Sequence, residues 1–511
     1  MNYMIWNNLF HASFNHDNQY QSVFLQQTFP KKLNNAALIA WSESCAKSIN
    51  VNRQTIDWLN MMNGHNLPKE TASCATVYSG HQFGQWAGQL GDGRALLLGS
   101  IQVKNFDDSF KTIELQLKGS GRTLYSRGGD GMAVLRSSIR EFLCSEAIAG
   151  LNIATTRALA LVHSEDTVIR EQVETAGVVL RIAPTFIRFG HFEHFAVNQN
   201  KIALQQLINY VVKNYYPEAA KHPADSDMRT LVFFDIVCQK TAHLIAQWQS
   251  VGFCHGVMNT DNMSILGLTL DYGPFGFLDI FDSNHICNHS DYHGRYAYSK
   301  QPKIAQWNLA CLAQALSGSL LSKDSHNVLN DSLNNFNETF LISHTALFLR
   351  KLGLSDNLVN KNEGVVFINK TLNMLHHTKA DMTAFFRRLS HWVSQKPPVN
   401  FSYITDICIN PNHSALSSWL IDYTFYQTQY LATGISRLEL SQMMLAINPK
   451  YILRNYLAEI AIKKASDEQD YSEINTLLTV LEKPFDEQPI YDSYAKLPPA
   501  WASDLEVSCS S

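Results

Sequence analysis

Between residues 111 and 117 the chain reads KTIELQL, and Ile113, Leu115 and Leu117 alternate with Thr112, Glu114 and Gln116. A period of two predicts a strand whose successive side chains leave on opposite faces. RALLLGSIQV, residues 94–103, is its expected antiparallel neighbour. In MAVLRSSIREFLCSEAIAG, residues 132–150, Leu135, Ile139, Phe142 and Leu143 recur at helical spacing, and Gly150 can end the helix. GVVLRIAP, residues 177–184, reads as a strand stopped by Pro184. After it the spacing is mostly helical, notably at 228–250, 303–317, 336–352 and 449–464. Residues 1–75 read as mixed loop and helix, and 482–500 as a proline-bearing tail that wraps the surface.

This order predicts an α+β, protein-kinase-like bilobed fold with extensions at both ends. The expected boundaries are an N-terminal extension over 1–75, a sheet-rich N-lobe over 76–185, a mainly helical C-lobe over 186–480 and a C-terminal tail over 481–511. With 511 residues, 45% hydrophobic and 17% charged, there is ample material for a core. A net charge of -4 gives no basic field that would favour nucleic acid. The absence of an 18-residue apolar run argues against a membrane span. The start, MNYMIWNNLFHASFN, lacks the charged and apolar regions of a secretion signal, so the cytoplasm is the expected location. Nine cysteines, none in a C-x-x-C pair, argue against a zinc ribbon and fit a reducing compartment. Cys45, Cys144, Cys238 and Cys311 sit in apolar, helical-looking segments and read as inert core thiols. Cys509, third from the end, does not suit a core role.

The candidate chemistry centres on FCHGVMNTDNMSI, residues 253–265. A kinase catalytic loop reads H-R-D-x-x-x-x-N, where Asp is the base and Asn holds a metal. With His255 on the kinase His, Asn262 falls on the metal-binding Asn, but Val257 falls on the catalytic Asp. Asp271-Tyr272-Gly273 resembles the kinase D-F-G, and its carboxylate suits a hard cation such as magnesium. Lys118 ends the KTIELQLK strand, where kinases place a phosphate-binding Lys paired with a helical Glu. The following helix offers Glu141 and Glu146, and periodicity does not choose between them. The glycines of GDGR and KGSG permit backbone N–H groups to approach phosphate, although such glycines more often mark plain turns. Arg181 and Arg188 flank Pro184, and an Arg on an interior strand needs an anionic partner, either a carboxylate or a phosphate.

Several long stretches closely resemble the selenoprotein O family. They are YSGHQFGQWAGQLGDGRA, ELQLKGSGRTLYSRGGDGMAVLRSSIREFL, TTRALALV, GVMNTDNMSILGLTLDYGPFGFLD and NPKYILRNYLAEIAI, and they run from about residue 75 to the C-terminus. The resemblance implies a kinase-like fold that transfers AMP from ATP to Ser, Thr or Tyr hydroxyls of proteins, with Mg2+ or Mn2+. It implies an ATP turned around relative to a kinase, so that the α-phosphorus faces the acceptor. It further implies nucleotide contacts at Gly91, Gly93, Arg94, Asp130 and Gly131, a phosphate lysine at Lys118 with its partner at Glu141, and phosphate arginines at Arg181 and Arg188. Asp261 is the implied proton acceptor, and Asn262 and Asp271 the implied metal ligands. A redox-controlled bridge between Cys287 and Cys509 is the last implication. The missing kinase base would then be displaced from position 257 to Asp261. The expected partners are protein substrates, without nucleic acid or membrane, and a monomer is expected. The rival readings are a conventional phosphotransferase and a nucleotide-binding pseudokinase without chemistry.

Overall fold

The structure, a computed structural model, describes residues 4–14, 22–105, 107–354, 361–395 and 401–507. Eleven strands precede residue 184: β1 Ile5–Trp6, β2 Leu25–Gln27, β3 Ala37–Trp41, β4 Cys74–Thr76, β5 Ser79–Gln82, β6 Gln85–Gln89, β7 Ala95–Lys104, β8 Phe110–Lys118, β9 Ala133–Val134, β10 Arg157–Ile169 and β11 Val173–Ala183. Nine of them form one antiparallel sheet in the order β2-β4-β7-β8-β11-β10-β3, with β1 beside β7 and β9 beside β11. β5 and β6 make a separate hairpin. The molecule is therefore mixed α/β around an antiparallel sheet, with predominantly helical structure after residue 188.

The alternation in β8 explains how the sheet reaches the site. Ile113, Leu115 and Leu117 pack into an apolar layer with Leu96, Leu98, Val178 and Leu180. Glu114, Gln116 and Lys118 leave on the opposite face and are buried as well. Register sets Gln116 opposite Arg181 and Lys118 opposite Val179. A buried polar strand face has to be satisfied by partners, and this one is. Glu114 accepts from Thr185 Oγ1 at 3.0 Å and from the Phe186 backbone N–H at 2.7 Å. The helix Leu135–Gly150 covers the same side, burying Leu135, Ile139, Phe142 and Leu143 in the main core.

Some elements differ from the sequence expectation. Residues 4–75 contribute β1 to β4 as well as short helices, and strands of two to five residues carry too little alternation to be read. β10 shows no period of two in the sequence because Ala158 to Val162 are all buried, giving a continuous apolar run. The helix expected at 449–464 begins at Asn455. Residues 451–454 are instead buried without helix, and Arg454 is held by Asp279 and, at 2.8 Å, Asp381. The helix expected at 336–352 starts at Asp324, through a polar stretch whose few buried positions hide the period.

The long helix Asp227–Ser250 leads into the 253–273 loop, as its spacing predicted. The tail closes over the same region: the His289 backbone N–H donates to the Val507 carbonyl at 2.9 Å. No helix among the described residues is long and apolar enough to cross a membrane.

Candidate active site

The loop 253–273, the ends of β7, β8 and β11, and the glycine-rich stretch 125–132 surround a cleft of about 510 Å³. Arg94, Lys118, Arg127, Arg170, Arg181 and Arg188 line it against four carboxylates, Asp92, Asp130, Asp261 and Asp271. Its lining thus carries an excess of cations on a chain that is acidic overall.

The floor is one ionic network. Lys118 Nζ lies 2.6 Å from Glu141 Oε2 and 3.0 Å from Asp271 Oδ1. Arg181 Nη1 reaches Glu141 Oε1 at 2.8 Å and Asp271 Oδ1 at 2.5 Å, while its Nη2 donates to Gln116 Oε1. Arg188 Nη1 donates to Asp271 Oδ2 at 2.6 Å and to the Asp261 backbone carbonyl at 2.9 Å, with its guanidinium over the Tyr78 ring. Burial alone would raise the Asp271 pKa, but Lys118, Arg188 and Arg181 outweigh it and hold the carboxyl well below its usual range. Burial pulls Lys118 down, against the attraction of Asp271 and Glu141. The choice between the two helical glutamates is settled by contact: Glu141 meets Lys118, whereas Glu146 meets Arg157 at 2.6 Å, Ser42 Oγ and the Ala158 N–H.

Asp271 holds a left-handed backbone, φ 60°, which Asp tolerates better than most residues. Tyr272 then turns into the core, where its hydroxyl bonds Thr155 Oγ1 and its ring packs near Phe253 and Phe275. That hydroxyl contact accounts for Tyr where kinases carry Phe.

Asp261 is the opposite case. It is buried, its Oδ2 accepts from Gln82 Nε2 at 3.1 Å, and its Oδ1 has no hydrogen-bond partner among the described residues. Burial pushes its pKa up to about 6, against the pull of Gln82 and Arg188. Asn262 gives its amide N–H to the Val257 carbonyl at 3.0 Å, and none of the described residues donates to its amide oxygen. Val257, on the kinase Asp position, lines the same cleft. His255 is buried, stacked on Trp248, with Nε2 2.8 Å from the Leu270 carbonyl oxygen.

The glycine-rich positions have packing reasons of their own. A Cβ on Gly91, φ 128°, would stand 2.5 Å from Tyr125 Cγ, and one on Gly131, φ 69°, would stand 2.1 Å from the Gly121 carbonyl oxygen. Gly93 packs against the Tyr125 carbonyl in the same way. Two glycine-rich segments are thereby pressed together, with Arg94 at their edge on the cleft. Asp130 forms a two-pronged pair with Arg170, 2.8 Å on each prong, and caps the Met132 N–H. Asp92 was not singled out from the sequence. It is buried, accepts from Thr76 N–H and Oγ1 at 2.9 and 2.6 Å, and anchors the GDGR turn. An Asp between two glycines was the available signal.

Cys287 is buried, with its thiol directed to the Cys254 carbonyl at 3.4 Å, and burial raises its pKa far above the ordinary thiol value. Cys509 lies outside the described residues.

The chain is similar to known proteins over most of its length. Residues 8–482 match the family described as Protein adenylyltransferase SelO. A Cupriavidus metallidurans protein named Protein nucleotidyltransferase YdiU is 46% identical over 490 residues, covering 93% of this chain and 85% of the relative. Proteins of the same name from Burkholderia multivorans and Variovorax paradoxus are each 48% identical. The first covers 87% of this chain and 84% of its own length, the second 90% and 88%.

Proposed function

From the premise that the chain belongs to the protein adenylyltransferase SelO family, we propose that it transfers AMP from ATP to hydroxyl groups of protein substrates and releases pyrophosphate. The observation that carries the reading is the pairing of a cation-rich cleft with a carboxylate, Asp261, that is buried beside it and only half satisfied. The acceptors are Ser, Thr or Tyr side chains. The sheet-rich front and helical back act as the two lobes of a kinase-like fold, with ATP between them. The triphosphate lies along the glycine-rich wall, where Arg94 and Arg127 line the cleft and Arg170 is held by Asp130, and its α-phosphorus is left open to the acceptor. The protein works in the cytoplasm, a reading favoured by the free cysteines among the described residues.

The hydroxyl oxygen attacks the α-phosphorus. As that bond forms, the bond from the α-phosphorus to the bridging oxygen breaks, and pyrophosphate leaves with the electron pair. The hydroxyl proton passes to Asp261, whose pKa near 6 leaves it ionised at neutral pH and still basic enough to accept. Lys118, Arg181 and Arg188 neutralise charge on the phosphates, and fixed charges in a dry cleft need no reorganisation during the step. Asn262 and Asp271 would hold a magnesium or manganese ion. The donors fit: among the described residues none donates to the Asn262 amide oxygen, and Asp271 Oδ2 accepts one hydrogen bond, from Arg188. When bound, the ion supplies further charge neutralisation on the phosphates.

The tail adds regulation. The family resemblance pairs Cys287 with Cys509, and the described end of the tail lies close to Cys287, with the His289 N–H on the Val507 carbonyl. A disulfide oxidant such as glutathione disulfide would take two electrons from the pair, form the bridge and leave as two thiols, and the tail would then be fixed beside the cleft.

Incubation with ATP labelled at the α or the γ phosphate tests the reaction. Label is expected on protein from the α position alone. Label retained from the γ position would make this a conventional kinase instead.

A further inference from the structure

Behind the 253–273 loop three elements meet at a second cluster of ligating side chains. His81 stands on β5, Glu193 on the helix Phe189–Val197 and Cys311 on the helix Gln301–Ser317. One ligating atom from each, the imidazole nitrogen, a carboxylate oxygen and the sulfur, lies within 4.8 Å of the other two. His81 Nδ1 is 2.6 Å from Glu193 Oε1. Cys311, expected in the core, is half-buried at this junction.

A second observation points to a ligand. Glu193 is 3% exposed, and its Oε2 is buried without a hydrogen-bond partner placed by geometry among the described residues. Burial raises the Glu193 pKa, and the Thr260 hydroxyl, which accepts the His81 backbone N–H at 2.8 Å, and His81 offset part of that rise. A buried carboxylate with one oxygen unpaired is costly, and a bound cation removes the cost. The Trp86 and Trp307 rings stand edge-on to the imidazole, at 5.1 and 5.4 Å, and shield it. The His81 side chain keeps 25% exposure, which leaves a route of entry.

We propose that His81, Glu193 and Cys311 form a three-ligand site for a zinc-class divalent cation, with water in the fourth position. The donor set decides the class: nitrogen, oxygen and sulfur suit zinc, whereas magnesium takes oxygen ligands. This separates the site from Asn262 and Asp271. Tetrahedral bonds of about 2.0 Å set nitrogen and oxygen about 3.3 Å apart, so the His81–Glu193 hydrogen bond opens by less than about 1 Å. Burial, then Glu193, push the Cys311 thiol up to about 12. The metal-free protein therefore carries S–H there, and its proton is released as the sulfur–metal bond forms. The position has a consequence for the cleft. Gln82, next to His81, holds Asp261, so the metal clamps the hairpin that positions the carboxylate.

The test uses chelator-treated full-length protein titrated with Co2+, with Zn2+ as competitor. One equivalent of cobalt is expected to give a thiolate-to-cobalt charge-transfer band that zinc removes. Cys311→Ser should abolish the band and weaken zinc binding by at least about 10-fold, while Cys408→Ser, at another half-buried thiol, keeps both. Should Cys311→Ser fail to fold, His81→Gln at its partly exposed position gives the second removal, with the same loss of zinc affinity. No band, a band that survives Cys311→Ser, or zinc affinity unchanged in His81→Gln would overturn the proposal. None of these readouts depends on nucleotide transfer.

Discussion

Asp261 and Asp271 lie ten residues apart in one stretch of chain, and their surroundings pull them in opposite directions. Asp271 keeps 18% side-chain exposure yet meets three cations. Asp261 is buried more deeply and has one side-chain donor. Burial acts on both as the largest effect. It loses at Asp271, whose carboxyl stays far below its usual pKa, and wins at Asp261, which rises to about 6. The floor of the cleft therefore fixes charge in place, while the adjoining loop keeps a carboxylate that can exchange a proton. Two carboxylates of one type become suited to different tasks through their neighbours alone.

The largest effect should come from breaking the floor. Asp271→Asn leaves Lys118 and Arg181 with Glu141 as their ion-pair partner, and Arg188 with no ion-pair partner among the described residues. Loss of one partner from a buried ionic group costs about 3–5 kcal/mol, and transfer from α-labelled ATP should fall by roughly 10³-fold or more. Urea denaturation and labelled transfer measure the two. Activity within about tenfold of wild type would remove the floor from the reaction.

The next effect carries the opposite sign in stability. Asp261→Asn should lower transfer by about 10²–10⁴-fold, the range for a lost general base. A folded pKa raised from 3.8 to about 6 means that the folded chain binds this proton more tightly than the unfolded chain. The stability so contributed is fully present below about pH 4 and is lost as pH rises through about 6. At pH 7 the Asn variant should thus be more stable than wild type, on the order of 1–3 kcal/mol. Wild-type transfer should also decline as pH drops below about 6. A variant that is both less stable and fully active would reverse the assignment of the two carboxylates.

Much of the floor was legible because charge on an interior strand demands a partner. Arg181 announces itself by sitting within GVVLRIAP, whereas Lys118 is legible through the kinase pattern of a lysine at a strand end. Their common partner Asp271 came from a motif, and its meeting with both required the register of β8 on β11. Periodicity left Glu141 and Glu146 level, since both are buried and both are ion-paired. Only the packing angle of the helix on the sheet separates them. Asp92 and Glu193 stayed hidden for a related reason: a buried carboxylate in a turn or an aromatic helix has no periodic signature. Short strands at 5–76 escaped because two to five residues cannot display a period.

The rim offers the smallest effect and the sharpest contrast with the floor. Asp130 pairs with Arg170 in good two-pronged geometry, but its side chain is 42% exposed. The Arg170 bond is the main reason its carboxyl sits below the usual range, and solvent screens most of what that shift would be worth. An exposed pair contributes about 1 kcal/mol or less, so Asp130→Asn should raise the KM for ATP by about fivefold at most and leave kcat nearly unchanged. Higher salt should narrow that difference, which the Asp271 variant will not show. A double-mutant cycle with Arg170→Met separates two roles for Asp130. If it positions the 125–132 turn through Arg170, the single variants share one effect and the double adds nothing. If it touches nucleotide on its own account, the two losses add, and the rim then works by direct contact, as the floor is proposed to do.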